Sequence, residues 1–303
     1  MDEITFRSFR ADWRAAGKSA NTADQMIWSL RRVARRGLAL PPDLELVDAR
    51  EWLAERLSEV SVATAHQEAR SLRVFSKFVA EEFSQPDKLA GLKLPKVPEP
   101  MPQRTADGPT VERLLASFRE DETFEGVRDR ALIATLWCSG IRREEAAKMQ
   151  TRHLDLYDES VFLDHVKRKP TGSTSRTAPL AGAVRPLHRY LARRKDHPQA
   201  DHPSLWLTRY GAMSKFGISQ AIQRRGIDAG LNLSPHDLRR GTATQWKASG
   251  GSDSGLMAAL GWESPTMLRR YTKLHEGKLA VDEAKRLRAT REGLAQPPRR
   301  RAG

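Results

Sequence analysis

The stretch "SPHDLRRGTATQW", residues 234–246, gathers His236, Arg239 and Arg240 around the start of a helix. Ser234 suits the N-cap, Pro235 the first helical position, and Asp237 the third, close to a capping box. The helix dipole favours anions at that end, so cations placed there point to an anion from outside. His236 and Arg239 lie three apart, on one face of the first turn. A phosphate at this helix start would meet free backbone N–H groups, an imidazole and a guanidinium together. The same residues also make an ordinary capped helix with solvated charges.

Three further segments carry similar chemistry. In "SGIRREEAAKM", Arg142 follows a glycine break and precedes Glu145 by three. This is either a surface ion pair, worth about 0.3–0.5 kcal/mol, or a carboxylate holding a planar fork ready for two phosphate oxygens. In "DHVKRKPTGST", Lys167 and Lys169 sit where a strand gives way to a turn, free to reach outward or to be solvated. In "GWESPTMLRRYTKL", Ser264 and Pro265 repeat the cap-plus-proline start, and Met267 and Tyr271 share a helix face. A tyrosine so placed also suits a core with a wet hydroxyl. Trp262 offers a single N–H donor.

These residues need elements to hold them. The first ninety or so residues read as helices. "TADQMIWSLRRVARRG" places Met26, Ile27, Leu30 and Val33 on one face, with Arg31, Arg32, Arg35 and Arg36 elsewhere. "SVATAHQEARSLRVFSKFVAEEF" does the same with Ala69, Leu72, Phe75, Phe78 and Val79, leaving Arg70, Arg73 and Lys77 off that face. "LKLPKVPEPMPQRTADGP" holds five prolines, which favour an extended, semi-rigid segment. The reading is a helical domain over 1–92, a linker over 93–107, a larger domain over 108–275, and a C-terminal helix with a basic tail over 276–303. In the larger domain a buried helix, "VRDRALIATLWCSG", ends at Gly140, and "SVFLDHV" and "SRTAPL" read as two strands around a turn. Helices are expected from there to the end. After Gly277, Ala280, Ala284 and Leu287 share a face.

The totals exclude several classes. With 303 residues and a formal net charge of +14, the chain is steered toward a polyanion, nucleic acid first and an anionic membrane surface second. It contains no membrane-length apolar run and no signal-peptide pattern at its start. Its one cysteine, Cys138, allows no internal disulfide and fits a reducing, cytoplasmic compartment, with Cys138 as a buried structural thiol. No P-loop sequence, carboxylate cluster or Cys/His ligand spacing is present, so neither ATP nor a metal is expected.

Taken together, the four segments resemble the tyrosine recombinase (phage integrase) family. The family pattern runs Gly-hydrophobic-Arg with Glu three residues on, a β-hairpin lysine, His-x-x-Arg, Leu-Gly-His or Leu-Gly-Trp, and a tyrosine nine residues later. Here these are Gly140-Ile141-Arg142 with Glu145, Lys167, His236 and Arg239, Leu260-Gly261-Trp262, and Tyr271. The detailed match spans about residues 126–275, and the N-terminal helices resemble the family's core-binding domain. Three features depart from the common pattern. Position 262 is Trp, which only donates. Position 240 is Arg where a second histidine is frequent. The hairpin turn is long, so Lys169 competes with Lys167.

The resemblance implies a mainly α protein. A helical core-binding domain precedes an α-rich catalytic domain with a small antiparallel sheet, the DNA breaking-rejoining fold. It also implies a site-specific recombinase that makes a covalent 3′-phosphotyrosine without metal, ATP or other cofactor. Tyr271 would attack the scissile phosphate, with His236 as base or positioning group. Arg142 and Arg239 would neutralise the non-bridging oxygens, Lys167 would protonate the leaving 5′-oxygen, and Trp262 would bond a phosphate oxygen and buttress the tyrosine helix. Glu145 supports Arg142. Arg31, Arg35, Arg70, Arg73, Lys77, Lys169 and Arg240 are candidate DNA contacts, and both domains would clamp a duplex.

The implied partners are duplex DNA at specific sites, a homo-tetramer joined through the terminal helix docking in trans or else folding back in cis, and an accessory directionality or DNA-bending protein. The implied setting is nucleoid-associated, with no membrane partner. The sequence does not show an arm-site-binding domain ahead of these helices, so recognition of distant arm sites is not expected. The departures from the commonest housekeeping motifs point to integration or excision of a phage or mobile element. Chromosome-dimer resolution, a type IB topoisomerase-like activity and an inactive DNA-binding protein are the alternatives.

Overall fold

The computed structural model describes residues 3–98, 105–164 and 175–272, with 280–281, 284–285 and 287–288. For 269–272 the description covers the backbone. The chain divides into two units, Met1–Met101 and Pro102–Gly303.

The first unit holds four helices: α1 (Glu3–Ala15), α2 (Ala20–Ala34), α3 (Leu46–Glu59) and α4 (Val62–Glu82). Each is amphipathic, and their apolar stripes bury Phe9, Met26, Leu30, Leu72 and Phe75 in one core. Phe9 meets Phe75 edge-on at 5.3 Å and Phe78 at 5.2 Å, an arrangement aromatic rings prefer over flat stacking. Ser61 caps α4 by accepting the Thr64 N–H at 3.2 Å. A buried carboxylate joins three helices: Glu68 of α4 accepts from Arg56 of α3 at 2.8 Å and from Arg32 of α2. Its guanidinium partners outweigh burial and hold Glu68 below the usual carboxylate range.

The second unit contains α5 (Gly108–Ser117), α6 (Phe124–Ser139), α7 (Arg143–Lys148), α8 (Val184–Arg194), α9 (Lys215–Asp228), α10 (Pro235–Ala248), α11 (Asp253–Leu260) and α12 (Pro265–Thr272). A sheet of β1 (Leu154–Asp155), β2 (Ser160–Leu163) and β3 (Arg176–Pro179) is antiparallel throughout, with Leu163 opposite Arg176. Helix α6 is the hub. Its faces are buried nearly all round, and α5, α8, α9, α10 and β3 pack against it. Its uniformly apolar centre has this central position as its cause. The mainly helical architecture with a small antiparallel sheet is the one expected.

Two features differ from the sequence reading. Ala106, assigned to the linker, is buried in the second unit, and its N–H donates to the Asp237 carbonyl at 3.2 Å. Gly241 makes room for this strap, because a side chain there would run into the Ala106 backbone and Trp137. Beyond β3 the chain is not all helix, since β4 (Leu207–Thr208) and β5 (Gly211–Ala212) form a hairpin. Two-residue strands are too short to show an alternating pattern. The turn carrying Lys167 and Lys169 lies outside the described residues.

Candidate active site

The motif residues are placed by caps. Ser234 opens α10: its Oγ accepts the Asp237 N–H at 3.3 Å, while Asp237 accepts the Ser234 N–H at 2.9 Å. That reciprocal box fixes where the first turn starts, and so fixes His236 and Arg239. Gly140 ends α6 in the left-handed region, at φ +58°. The chain then turns into α7, with Arg142 at its N-cap. Glu145 accepts the Arg142 backbone N–H at 2.6 Å and its guanidinium at 2.9 Å. Glu145 is buried, so this is the rigid version of the pair rather than the solvated one.

The segments meet at the C-terminal end of α11. A helix leaves its last carbonyls without intrahelical partners. Gly261, at φ +61°, closes α11, and two of these carbonyls are met by backbone: Gly261 N–H donates to Ala258 at 3.2 Å and Trp262 N–H to Met257 at 2.9 Å. This is a Schellman closure. The next three carbonyls are met by arginines. Arg176 donates to Ala259, Arg239 donates to Leu260 at 2.7 Å, and Arg142 donates to Gly261 at 3.2 Å. The negative end of the helix dipole favours such cations. Arg239 also donates to the Gly140 carbonyl.

Arg142, His236, Arg239, Trp262 and Met267 line one cleft of about 540 Å3 with Ser219, Gln223 and Asn232. Arg239 is buried beneath it, with its guanidinium over the Trp262 ring at 5.6 Å. Trp262 is buried with Leu256, Leu260 and, from α12, Leu268. Tyr271 stands in α12 four residues beyond Met267; its side chain lies outside the described residues. His236 is exposed to the cleft on one side. Desolvation on the other side, then the cations Arg240 and Arg239, lower its pKa. Lowering favours the neutral imidazole, which can accept a proton. The site is therefore a cationic cleft with a neutral base at its rim, and it can bind and polarise a phosphate. Residues 106–278 match the phage integrase family.

The chain belongs to that family, the tyrosine recombinases.

Tyrosine recombinase XerA of Pyrococcus horikoshii is 25% identical over 273 residues, covering 89% of this chain and 89% of that protein. Tyrosine recombinase XerC of Escherichia coli (strain K12 / DH10B) is 29% identical over 222 residues, 72% of each chain. In fold, the Tn1549 transposon integrase in complex with transposon right end DNA superimposes with a TM-score of 0.68 at 16% identity, over 93% of this chain and 99% of that one. A lambda integrase dimer bound to a COC′ core site gives 0.66 at 15% identity, over 88% and 76%. The recombinase is thus a DNA strand-transferring enzyme for site-specific recombination.

Other groups in the recombinase are accounted for structurally. Tyr190 is buried, donates to Leu205 at 2.8 Å, and burial pushes its phenol up to about 12. Tyr157 and Tyr210 are exposed away from the cleft. Cys138 is half-buried rather than fully buried, and what burial it has pushes its thiol up to about 11, as suits an inert structural cysteine. Arg240 is turned to Asp237 at 3.3 Å. Among the described residues no group of three metal-ligating side chains comes together, and no helix is long and apolar enough to cross a membrane.

In the first unit the candidate DNA contacts separate. Arg70, Arg73 and Lys77 line one cleft of α4 with Trp13 and Lys18. Arg35 is exposed at the C-cap of α2. Arg31 is exposed as well, but it is paired on the surface with Glu3 of α1 at 2.5 Å and set over the Phe6 ring at 5.4 Å. Sequence reasoning missed one member of the α11 terminus, Arg176. A signal was present: 176, 178 and 180 share a strand face, and Ala178 and Leu180 are buried. Arg176 is therefore a charge on the inward side of a strand.

Proposed function

We propose that this enzyme cleaves and rejoins duplex DNA through a covalent bond between Tyr271 and a 3′-phosphate, and that it integrates or excises a phage or mobile element. The observation that carries the chemistry is the seating of Arg142 and Arg239 on the adjacent carbonyls of Gly261 and Leu260, beside His236 in one cleft. A scissile phosphate there meets two guanidiniums already oriented, so little reorganisation is needed as charge grows on its non-bridging oxygens. Tyr271 attacks phosphorus and its proton passes to neutral His236. The P–O5′ bond breaks, and Lys167, or Lys169 in its place, protonates the leaving oxygen. Trp262 donates its indole N–H to a phosphate oxygen and fixes α12 through Leu268. The phosphodiester energy is kept in the phosphotyrosine until a new 5′-hydroxyl attacks. Arg35, Arg70, Arg73, Lys77 and Arg240 add phosphate contacts that position the duplex.

The relatives and structural neighbours support a DNA substrate: the neighbours named above are bound to transposon or core-site DNA. The C-terminal helical residues 280–281, 284–285 and 287–288 are exposed, which supports docking onto a neighbouring protomer in a tetramer rather than folding back in cis. The relatives named XerA and XerC favour a second reading, chromosome-dimer resolution.

Covalent trapping tests the chemistry. The full chain is incubated with a pool of nicked duplexes of random sequence, and adducts are isolated under denaturing conditions and sequenced. Wild type is expected to yield adducts and Tyr271→Phe none. Adducts from both, or from neither, overturn the phosphotyrosine assignment. Trapped sequences that match the ends of a mobile element support integration, and a single chromosomal site supports dimer resolution.

A further inference from the structure

Three arginines close α11, but only two of them line the cleft. Arg176 is set behind the other two: its side chain is 12% exposed and it is absent from the cleft wall. It touches both halves of the site. It donates to the second oxygen of Glu145 at 2.7 Å and to the Ala259 carbonyl. Glu145 is thereby shared, one oxygen to the Arg142 guanidinium and the other to Arg176 and the Arg142 backbone. Gly261 is cut away to let Arg176 pass, since a Cβ there would lie 2.6 Å from its Nε and 2.9 Å from its Cδ. No other residue of the described site joins α7, β3 and α11 through one planar group.

We propose that Arg176 is a positioning residue for strand cleavage, one that locks Glu145 to the end of α11 and so presets Arg142 and Arg239 before a phosphate arrives. This rests on the reading above, in which Arg142 and Arg239 neutralise the scissile phosphate. Two physical effects follow from its removal. The Ala259 carbonyl loses its charged donor at the negative end of a helix. The Glu145 charge, otherwise divided between two guanidiniums, falls on Arg142 alone and reduces the positive potential offered to the phosphate. Lysine restores a charge but not the planar fork, so it satisfies one of the two partners at a time.

The test uses the full chain and a nicked duplex of trapped sequence, in two forms: an ordinary scissile phosphodiester, and a methylphosphonate whose non-bridging position carries no charge. Single-turnover cleavage is measured at saturating DNA beside DNA affinity and thermal unfolding. Arg176→Met is expected to bind DNA within about threefold of wild type and to cleave the phosphodiester about 10- to 100-fold more slowly, the scale of a small misplacement of catalytic groups. Its deficit should shrink at least about tenfold on the methylphosphonate, where less charge needs to be met. Arg176→Lys should recover part of the lost rate and, should Arg176→Met fail to fold, carries the same substrate comparison.

Equal deficits on both substrates, a wild-type rate, or a lysine variant no better than methionine would overturn the proposal. Arg142→Ala is run alongside. If its own loss is equal on both substrates, the underlying assignment of Arg142 fails, independently of Arg176.

Discussion

The guanidinium of Arg239 lies over the indole of Trp262, 5.6 Å from the ring centroid, and both side chains are buried. The indole is at once a face for the cation, a wall for Leu268 of α12 and an N–H donor. These roles separate by substitution. Trp262→Ala opens a cavity and is expected to cost about 3–5 kcal/mol of stability, read by urea unfolding. Trp262→Phe keeps a ring beneath the cation and should cost about 1.5 kcal/mol or less, yet cleave at least about tenfold more slowly because the N–H is gone. A Phe variant that cleaves as fast as wild type would remove the donor role.

Gly140 ties the α6 terminus to the same centre. Its φ of +58° is one a side chain resists, a Cβ there would collide with Leu260, and its carbonyl accepts from Arg239. Gly140→Ala combines left-handed strain of about 1–2 kcal/mol with overpacking of about 1–3 kcal/mol. Chemical unfolding should show a loss of at least about 2 kcal/mol, and cleavage should fall further than the folded fraction does. A neutral effect on both would mean that the two turns are not packed against one another.

His236 sets a pH dependence. Burial, Arg240 and Arg239 lower its folded pKa, so the neutral form is the resting form at pH 7. The unfolded chain takes up this proton near about pH 6.5, while the folded chain resists it. Native stability from this group is therefore fully present above that value and declines as pH falls from there through the folded pKa. The contribution is small because the ring is partly exposed. In the DNA-free protein, an NMR titration of His236 should give a midpoint below the ordinary value, and Arg240→Ala should move it upward. A midpoint above it would contradict the electrostatics of the cleft.

The basic face of α4 and the buried charges behind it should respond differently. Arg70, Arg73 and Lys77 share a surface cleft, so each alanine substitution should weaken DNA binding with little loss of stability. The slope of log affinity against log salt should fall by about one for each contact removed. Arg56→Ala leaves Glu68, whose side chain is 1% exposed, with Arg32 alone of its two guanidinium partners, and should cost about 3 kcal/mol of stability instead. A salt slope unchanged in the triple variant of the surface residues would take α4 out of the interface.

Much of the molecule was written in short stretches of sequence. The apolar stripes of α2 and α4, the capping box of Ser234 and Asp237, the glycine stop at 140 and the Arg142–Glu145 spacing depend on neighbours within about a turn of chain. Local geometry therefore sufficed to read them. The order of the motifs was enough to indicate the family. Packing between distant segments decided the rest. Arg31 and Arg35, four residues apart, looked alike in the sequence, but the approach of α1 brought Glu3 to Arg31. Ala106 looked like linker until Gly241 offered it a slot. Arg142, Arg176 and Arg239 come from the N-cap of α7, from β3 and from α10, and no spacing rule says that they will meet three successive carbonyls at the end of α11, those of Gly261, Ala259 and Leu260. That arrangement exists because a helix end left inside a protein must have its carbonyls met, and which groups meet them is settled by how the helices stack.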